Sequence, residues 1–321
     1  MTRPALATER RLFTLAQALG PGIGEALAEA NVVEALVNAD GIVRVDRVGR
    51  GIETTPLRLT VQEREAAIRL LACEAGETVT IDRPYLATTL PGSGARVQAM
   101  IPPLVTAPIL AIRKRPGVIY SLDDYRDADI GSIDQIEQLR TAILAKRNIV
   151  VAGGTGSGKT TLLNALLAEP VFGASRIVIL EDTTELHCTA ADTVQLLTKR
   201  TDPAVTMRDL VQMTLRLRPD RIVVGEVRDG AALEVLKAWN TGHPGGLLTV
   251  HANSAADALT RLEDLCLEAA PAPPQRLIAS AVDLVVFIER SPQGRRIAEI
   301  LETPAFPAKP DRSRHPRRTS P

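Results

Sequence analysis

Apolar and polar positions change their rhythm along this chain, and the change divides it. Over residues 1–115 the apolar runs are short and interrupted. Glu9–Leu19 reads as a helix closed by Gly20-Pro21-Gly22. Asn31–Val37 and Ile42–Val48 are β-rich runs joined by Asn38-Ala39-Asp40-Gly41, a hairpin-like turn. Thr60 and Glu63 have the spacing of a capping box ahead of a helix over Val61–Glu74. Strand-like runs follow at Thr78–Ile81, Arg96–Ile101 and Ile109–Arg113. Pro91-Gly92-Ser93-Gly94 and Pro102-Pro103 punctuate them. A smaller α+β domain is expected over 1–115.

Arg115-Pro116-Gly117 then opens an expected linker, residues 116–131, through the acidic stretch Leu122–Asp127. Ser132 and Gln135 make a second capping box, and Ile133, Ile136, Leu139, Ile143 and Leu144 give the next helix an apolar face. Beyond it the rhythm differs. Asn148–Ala152, Arg176–Leu180, Arg221–Val224 and Leu247–Val250 are near-continuous apolar runs alternating with helical stretches. A strand with no polar face is buried on both sides, so residues 132–302 are expected to form an α/β domain with a parallel sheet between two helical layers.

Composition and charge sharpen this only at the edges. Apolar residues make up 45% and charged residues 24%, a globular mix, and aromatics at 2% leave the core to Leu, Val, Ile and Ala. Acids and bases number 38 each, so no global field draws the chain to nucleic acid or membrane. Residues 303–321 are the exception: Lys309, Arg312, Arg314, Arg317 and Arg318 face Asp311 alone, a local balance of +4. With five prolines and almost no apolar content, this segment is expected to be a disordered basic tail, able to touch anionic lipid or DNA or to do nothing. Three widely spaced cysteines, Cys73, Cys188 and Cys266, fit a reducing compartment and neither a zinc site nor a disulfide framework. The N-terminus lacks the apolar core of a signal peptide, and the most apolar segment, Leu277–Ile288, is short and broken by Asp283. The expected location is cytoplasmic, with any membrane contact peripheral.

The chemistry is concentrated in one segment. Gly153-Gly154-Thr155-Gly156-Ser157-Gly158-Lys159-Thr160 is a complete phosphate-binding loop, preceded by an apolar strand and followed from Thr161 by helix-forming residues. The glycines let backbone N–H groups turn toward phosphates, Lys159 can reach the β- and γ-phosphates, and Thr160 can ligate Mg²⁺. The following helix adds its positive N-terminus. The expected ligands are ATP and Mg²⁺.

Three more strand ends carry polar groups. Glu181-Asp182-Thr183-Thr184-Glu185 follows one, Gly225-Glu226 another, and Thr249-Val250-His251 ends a third. Ligands of open parallel sheets bind beyond the carboxyl ends of the strands, so all three point to the edge that carries the phosphate loop. Glu226 is the candidate to orient the attacking water. Glu181 and Glu185 are candidates, with Thr160 and Glu226, to support the metal and water. Asp182 could instead hydrogen-bond its own turn. His251, beside the glycine-rich Gly242-His243-Pro244-Gly245-Gly246, is a candidate γ-phosphate sensor; His187 and His315 have no such setting, and Trp239 reads as packing.

Taken in order, Gly153–Thr160, Glu181–Glu185, Arg218–Asp229 and Thr249–Ser254 resemble the Walker A, Asp-box, Walker B and His-box motifs of the secretion ATPases of type II secretion, type IV pili and type IV secretion. The resemblance spans residues 1–302, and Leu236–Gly246 is similar, more narrowly, to the Trb-type conjugal-transfer ATPases. It implies a RecA-like C-terminal ATPase domain preceded by a PAS-like N-terminal domain, and a homo-hexameric ring. It also implies nucleotide held between the domains, and docking on inner-membrane components of a secretion or conjugation channel. It further implies that N-terminal arginines reach the phosphates. Arg96 and Arg113 match best, with Arg228 acting across the site and Arg200 as a further candidate. A type II secretion or pilus motor is the alternative, disfavoured by the missing four-cysteine module and by His251-Ala252-Asn253-Ser254 where retraction motors carry His-Thr. A helicase or partition factor lacks support, because the body has no basic groove and only eight aromatics for base stacking. A small-molecule kinase would not need the N-terminal domain or two distal acidic strand ends. No sequence-specific nucleic-acid binding is expected.

Overall fold

In the computed structural model, which describes residues 19–48, 50–90, 92–115, 118–199, 202–291 and 293–303, the first helix begins where the sequence reads as a stop. Gly20 takes φ 77° as the N-cap, Pro21 occupies the first turn, and α1 runs Pro21–Ala28. Proline lacks an N–H that the first turn could not use anyway, so Gly-Pro opens this helix, while Leu19, just before Gly20, is itself helical. The helix expected at Glu9–Leu19 lies, apart from Leu19, outside the described residues, as do Arg200, His315 and residues 304–321 of the tail.

The chain divides into two units, residues 1–117 and 118–321. The first holds β1 (Val32–Val37), β2 (Ile42–Arg47), β3 (Gly51–Arg58), α2 (Val61–Glu74), β4 (Tyr85–Thr89), β5 (Arg96–Met100) and β6 (Ile109–Arg113). The strands form one antiparallel sheet in the order β3-β2-β1-β6-β5-β4. Alternation puts Ala35, Val37, Val43, Val45, Val97, Ala99, Leu110 and Ile112 on one face, where Ile23 of α1 and Ala67, Ile68 and Leu71 of α2 join the same core. The Thr60–Glu63 capping box of α2 is present on both sides. Thr78–Ile81 is not a strand: Thr80 N donates to Arg83 O and Arg83 N to Thr80 Oγ1 in a turn, and only Val79 of that run is buried. Strands β3 and β4, both sheet edges, escape the sequence reading because edge strands are half-wet and β3 carries Pro56.

The second unit begins earlier than expected. Within the expected linker, Ser121 and Asp124 cap helix α3 (Leu122–Asp127), and its Leu122 and Tyr125 are buried among Ile136, Leu139 and Ile143 of α4 (Ile133–Leu144). The acidic character that reads as linker is the capping chemistry of a short helix. The elements that follow are β7 (Ile149–Gly153), α5 (Lys159–Leu167), β8 (Ile177–Glu181), β9 (Thr193–Leu197), α6 (Met207–Thr214), β10 (Arg221–Val224), α7 (Ala231–Asn240), β11 (Leu247–His251), α8 (Ala255–Leu267), α9 (Gln275–Ala281), β12 (Leu284–Ser291) and β13 (Gly294–Glu302). The sheet order is β13-β12-β7-β11-β10-β8-β9, parallel throughout except for the antiparallel edge pair β12–β13. Strands β7, β8 and β10 are buried at every position, because α4 and α5 cover one face while α6, α7, α8 and α9 cover the other. Among the described residues no helix is long and apolar enough to cross a membrane.

Candidate active site

The phosphate-binding loop leaves β7 at Gly153 and enters α5 at Lys159. Two of its glycines are required by geometry. Gly158 caps α5 at φ 103°, where a side chain would be strained. A Cβ on Gly153 would stand 2.2 Å from Ile288 O and 2.5 Å from Ser157 Oγ. Gly154, Thr155 and Gly156 are exposed while Ser157 and Lys159 are buried, so the loop offers an open rim over a buried cation. Thr160 and Thr161, half-buried, open the helix.

Lys159 Nζ donates to Gly153 O at 3.0 Å and Gly154 O at 2.9 Å, and lies 3.2 Å from His251 Nδ1. An ammonium has only donors, so Nδ1 must accept and the imidazole is the neutral tautomer protonated at Nε2. Burial, then the Lys159 charge, hold the His251 pKa below its ordinary 6.5, against the pull of Glu226. Nε2 in turn lies 2.9 Å from Glu226 Oε1. The ring N–H is not aimed at that oxygen, so Oε1 is buried without a hydrogen-bond donor among the described residues. The contact is a close polar approach and not a hydrogen bond. The other oxygen, Oε2, accepts from Arg228 Nη2 at 2.5 Å. Burial alone would raise the Glu226 pKa, but the Arg228 bond, with Arg228, His251 and Lys159 nearby, outweighs it and holds the group below the ordinary carboxylate value.

Backbone contacts set Glu226 in place. Val227 N donates to Thr249 O at 3.0 Å and Thr249 Oγ1 to Gly225 O at 2.6 Å, tying the turn after β10 to β11. A Cβ on Gly225 would stand 3.1 Å from Glu181 Cγ, so glycine there admits the Glu181 side chain. Beside Glu226 opens a cleft of about 320 Å³, lined by Asp182, Thr198, Lys199, Thr206, Glu226 and Arg228. Asp182 does not bond its own turn. Its Oδ1 accepts from Thr198 Oγ1 at 2.8 Å, and Oδ2 lies 3.9 Å from Arg228 Nη1.

The two glutamates of the turn Glu181–Glu185 separate. Glu185 Oε2 approaches Thr160 Oγ1 at 3.5 Å, a long contact between the two groups expected near a metal. Glu181 is buried, and its Oε1 accepts from Glu185 N at 2.7 Å and Leu186 N at 2.8 Å. Glu181 shapes the loop that presents Glu185. Among the described residues no three His, Cys, Asp or Glu side chains cluster as a metal cage. Mg²⁺ takes one or two protein oxygens and completes its shell with water and substrate phosphates. Thr160 Oγ1 and the Glu185 carboxylate beside it are hard oxygen donors of that kind.

Lys159, Thr160, Glu181, Glu185, Glu226, Arg228 and His251 thus converge at one edge of one unit. Arg96 and Arg113 belong to the other unit, where they sit directly opposite each other on β5 and β6. The turn Gly242–Gly246 is misplaced by the sequence reading. It precedes β11, whereas His251 ends it, so roughly 13 Å of strand separates them at about 3.3 Å per residue. Its glycines serve packing: a Cβ on Gly246 would stand 2.0 Å from Trp239 Nε1, which donates to Ile222 O. Sequence reasoning also passes over Asn164, whose buried amide bonds the backbone of Glu185 and His187. A polar residue at a core position of α5 was the available signal.

Comparison with known proteins gives the chain its relatives. The family model described as "Type II/IV secretion system protein" matches residues 86–307. The chain is 44% identical over 299 residues to the conjugal transfer protein TrbB of Rhizobium radiobacter, covering 92% of this chain and 91% of that one. It is 35% identical to the type IV secretion system protein PtlH of Bordetella pertussis, covering 88% and 93%. Among solved structures it shares the fold of the pilus retraction motor PilT with bound ADP, at TM-score 0.63 and 22% identity over 88% of this chain and 82% of that one. The chain belongs to the type II/IV secretion system protein family, the secretion ATPases.

Proposed function

We propose that this family member is the motor ATPase of a conjugative type IV secretion system, hydrolysing MgATP to drive pilus assembly or substrate translocation. The observation that carries the reading is the convergence of Lys159, His251 and Glu226 at the mouth of the phosphate-binding loop, with Glu226 Oε1 buried and lacking a donor. A charged phosphate oxygen is a stronger acceptor than the two carbonyls that hold Lys159, so the ammonium turns to the β- and γ-phosphates when ATP binds. The amides of Gly156–Thr161 take up the remaining phosphate charge. Glu226 orients a water through Oε1. That water attacks the γ-phosphorus, the bond to the β-phosphate oxygen breaks, and ADP and inorganic phosphate leave. Arg228 keeps Glu226 ionised, and neutral His251 senses the γ-phosphate without adding a proton of its own. Thr160, with Glu185 and Glu226, would hold Mg²⁺. When bound, the ion supplies charge neutralisation for the phosphates.

In the same reading the second unit is RecA-like and the first PAS-like, the protein works as a homo-hexamer, and Arg96 and Arg113 act on nucleotide from the N-terminal domain. The ring sits on the cytoplasmic side against inner-membrane channel components. Phosphate release from MgATP with no acceptor and no nucleic acid tests the activity: a kinase needs the first and a helicase the second. Light scattering with and without MgATP tests the ring. A protein that stays monomeric under both conditions would remove the hexamer from the account while leaving the hydrolysis site standing.

A further inference from the structure

Asn164 lies one turn beyond Thr160 on α5, at the i+4 position, so both side chains leave the same face of the helix. Both meet Glu185. Thr160 Oγ1 approaches its carboxylate at 3.5 Å, while Asn164 Nδ2 donates to its backbone O at 3.1 Å. Asn164 Oδ1 accepts from His187 N at 2.8 Å, which fixes the amide's orientation, since the reverse flip would set donor against donor and acceptor against acceptor. The same loop is held from its other side by Glu181 Oε1, through the N–H groups of Glu185 and Leu186. Asn164 is only 3% exposed on a helix whose neighbours Leu162, Leu163, Ala165 and Leu166 are apolar. Asparagine is a poor helix former and a costly core residue, and among the described residues its side chain bonds the acidic loop at Glu185 O and His187 N.

We propose that Asn164 is a positioning residue for hydrolysis: it fastens the backbone of residues 185–187 to the phosphate-loop helix, so that the Glu185 carboxylate is registered against Thr160. Alanine and leucine would keep the helix and lose both bonds, and aspartate would lose the donor to Glu185 O. The proposal rests on the hydrolysis reading above, and it concerns where Glu185 is held, not whether nucleotide binds.

The experiment is a titration of the full chain with a fluorescent N-methylanthraniloyl-ADP, in EDTA and in MgCl₂, beside steady-state phosphate release. Asn164→Ala should keep wild-type affinity in EDTA, lose at least about fivefold of the tightening that magnesium gives, and lower kcat by about tenfold. Leu166→Ala, an equally buried neighbour, should lower the melting temperature and leave the magnesium effect intact. If Asn164→Ala proves too unstable to purify, Asn164→Ser, too short to span both bonds, carries the same expectation. Magnesium tightening and kcat within about twofold of wild type in either variant overturn the proposal, as does a wild-type protein whose nucleotide affinity ignores magnesium. A wild-type protein that binds no nucleotide in either buffer overturns the hydrolysis reading itself.

Discussion

The two ends of the same parallel sheet each hold a buried cation against backbone carbonyls beside a glycine-rich turn. At the carboxyl end Lys159 faces Gly153 O and Gly154 O. At the amino end Arg221, 1% exposed, donates to Ile143 O at 3.1 Å and Gly245 O at 3.4 Å and stacks its guanidinium 4.6 Å from the Phe172 ring centre. Burial pulls its pKa down to about 10, still charged at neutrality. The difference is in the company. Lys159 has His251 and Glu226 within its field and an exposed loop above it, so its partners can be exchanged for phosphates. Arg221 closes the carboxyl end of α4, where carbonyl dipoles point outward, and is sealed under an aromatic ring with no carboxylate bonded to it among the described residues. On the proposed function one cation is exchangeable and the other structural, and a buried charge or a glycine run alone does not tell them apart.

Swapping the cations for neutral side chains should separate the roles. Lys159→Ala should abolish hydrolysis, by about a thousandfold or more, with little change in melting temperature. Glu226→Gln should lower the rate by about a hundredfold or more while ATP still binds, since the amide keeps the shape but not the acceptor strength. Arg221→Ala should do the reverse. Loss of the stack and of two carbonyl bonds leaves a cavity beside Phe172 that costs about 3 kcal/mol in urea unfolding, and the ATPase rate of the folded protein should stay within about twofold. An Arg221→Ala protein that is stable but inactive would erase the distinction between the two ends.

A finer test lies within the acidic turn. Glutamine at position 181 still offers an oxygen to the N–H groups of Glu185 and Leu186, so Glu181→Gln should retain most activity. Glu185→Gln should lose about tenfold and require more magnesium. Equal losses would return Glu181 to the metal. The smallest effect concerns His251. Its pKa, followed by NMR, should lie below 6.5 and rise in Lys159→Ala, because a neighbouring positive charge disfavours imidazolium. A group depressed in the folded state binds fewer protons than its unfolded counterpart, so this histidine contributes stability above its ordinary pKa and loses it as the pH falls through the depressed value. Glu226, also depressed, adds a loss of the same sign at lower pH.

Much of the site was legible because strand ends in a parallel sheet are legible. Once Asn148–Ala152, Arg176–Leu180, Arg221–Val224 and Leu247–Val250 are read as buried parallel strands, Glu181, Glu226 and His251 must share an edge with Lys159. What escaped depended on partners distant in sequence. The Gly242 turn seemed to adjoin His251 because they are close in sequence, but the strand between them carries them to opposite ends. Glu181 and Glu185 look equivalent in a row of acids, and only the direction of the Glu181 side chain, back toward its own loop, separates them. The edge strands β3, β4, β9 and β13 lack the continuous apolar signal of the centre, and the helix over Leu122–Asp127 is hidden by its own acidic caps.

The central claim is that Glu226 works on a water while Lys159 and the phosphate loop work on the nucleotide, so binding and hydrolysis should come apart at one atom. Fluorescent-ATP affinity and phosphate release measured side by side for wild type and Glu226→Gln test it most directly. The account predicts affinities within about threefold of each other and release that falls by about a hundredfold or more in the variant. Wild-type turnover by Glu226→Gln, or a parallel collapse of affinity and rate, would contradict it.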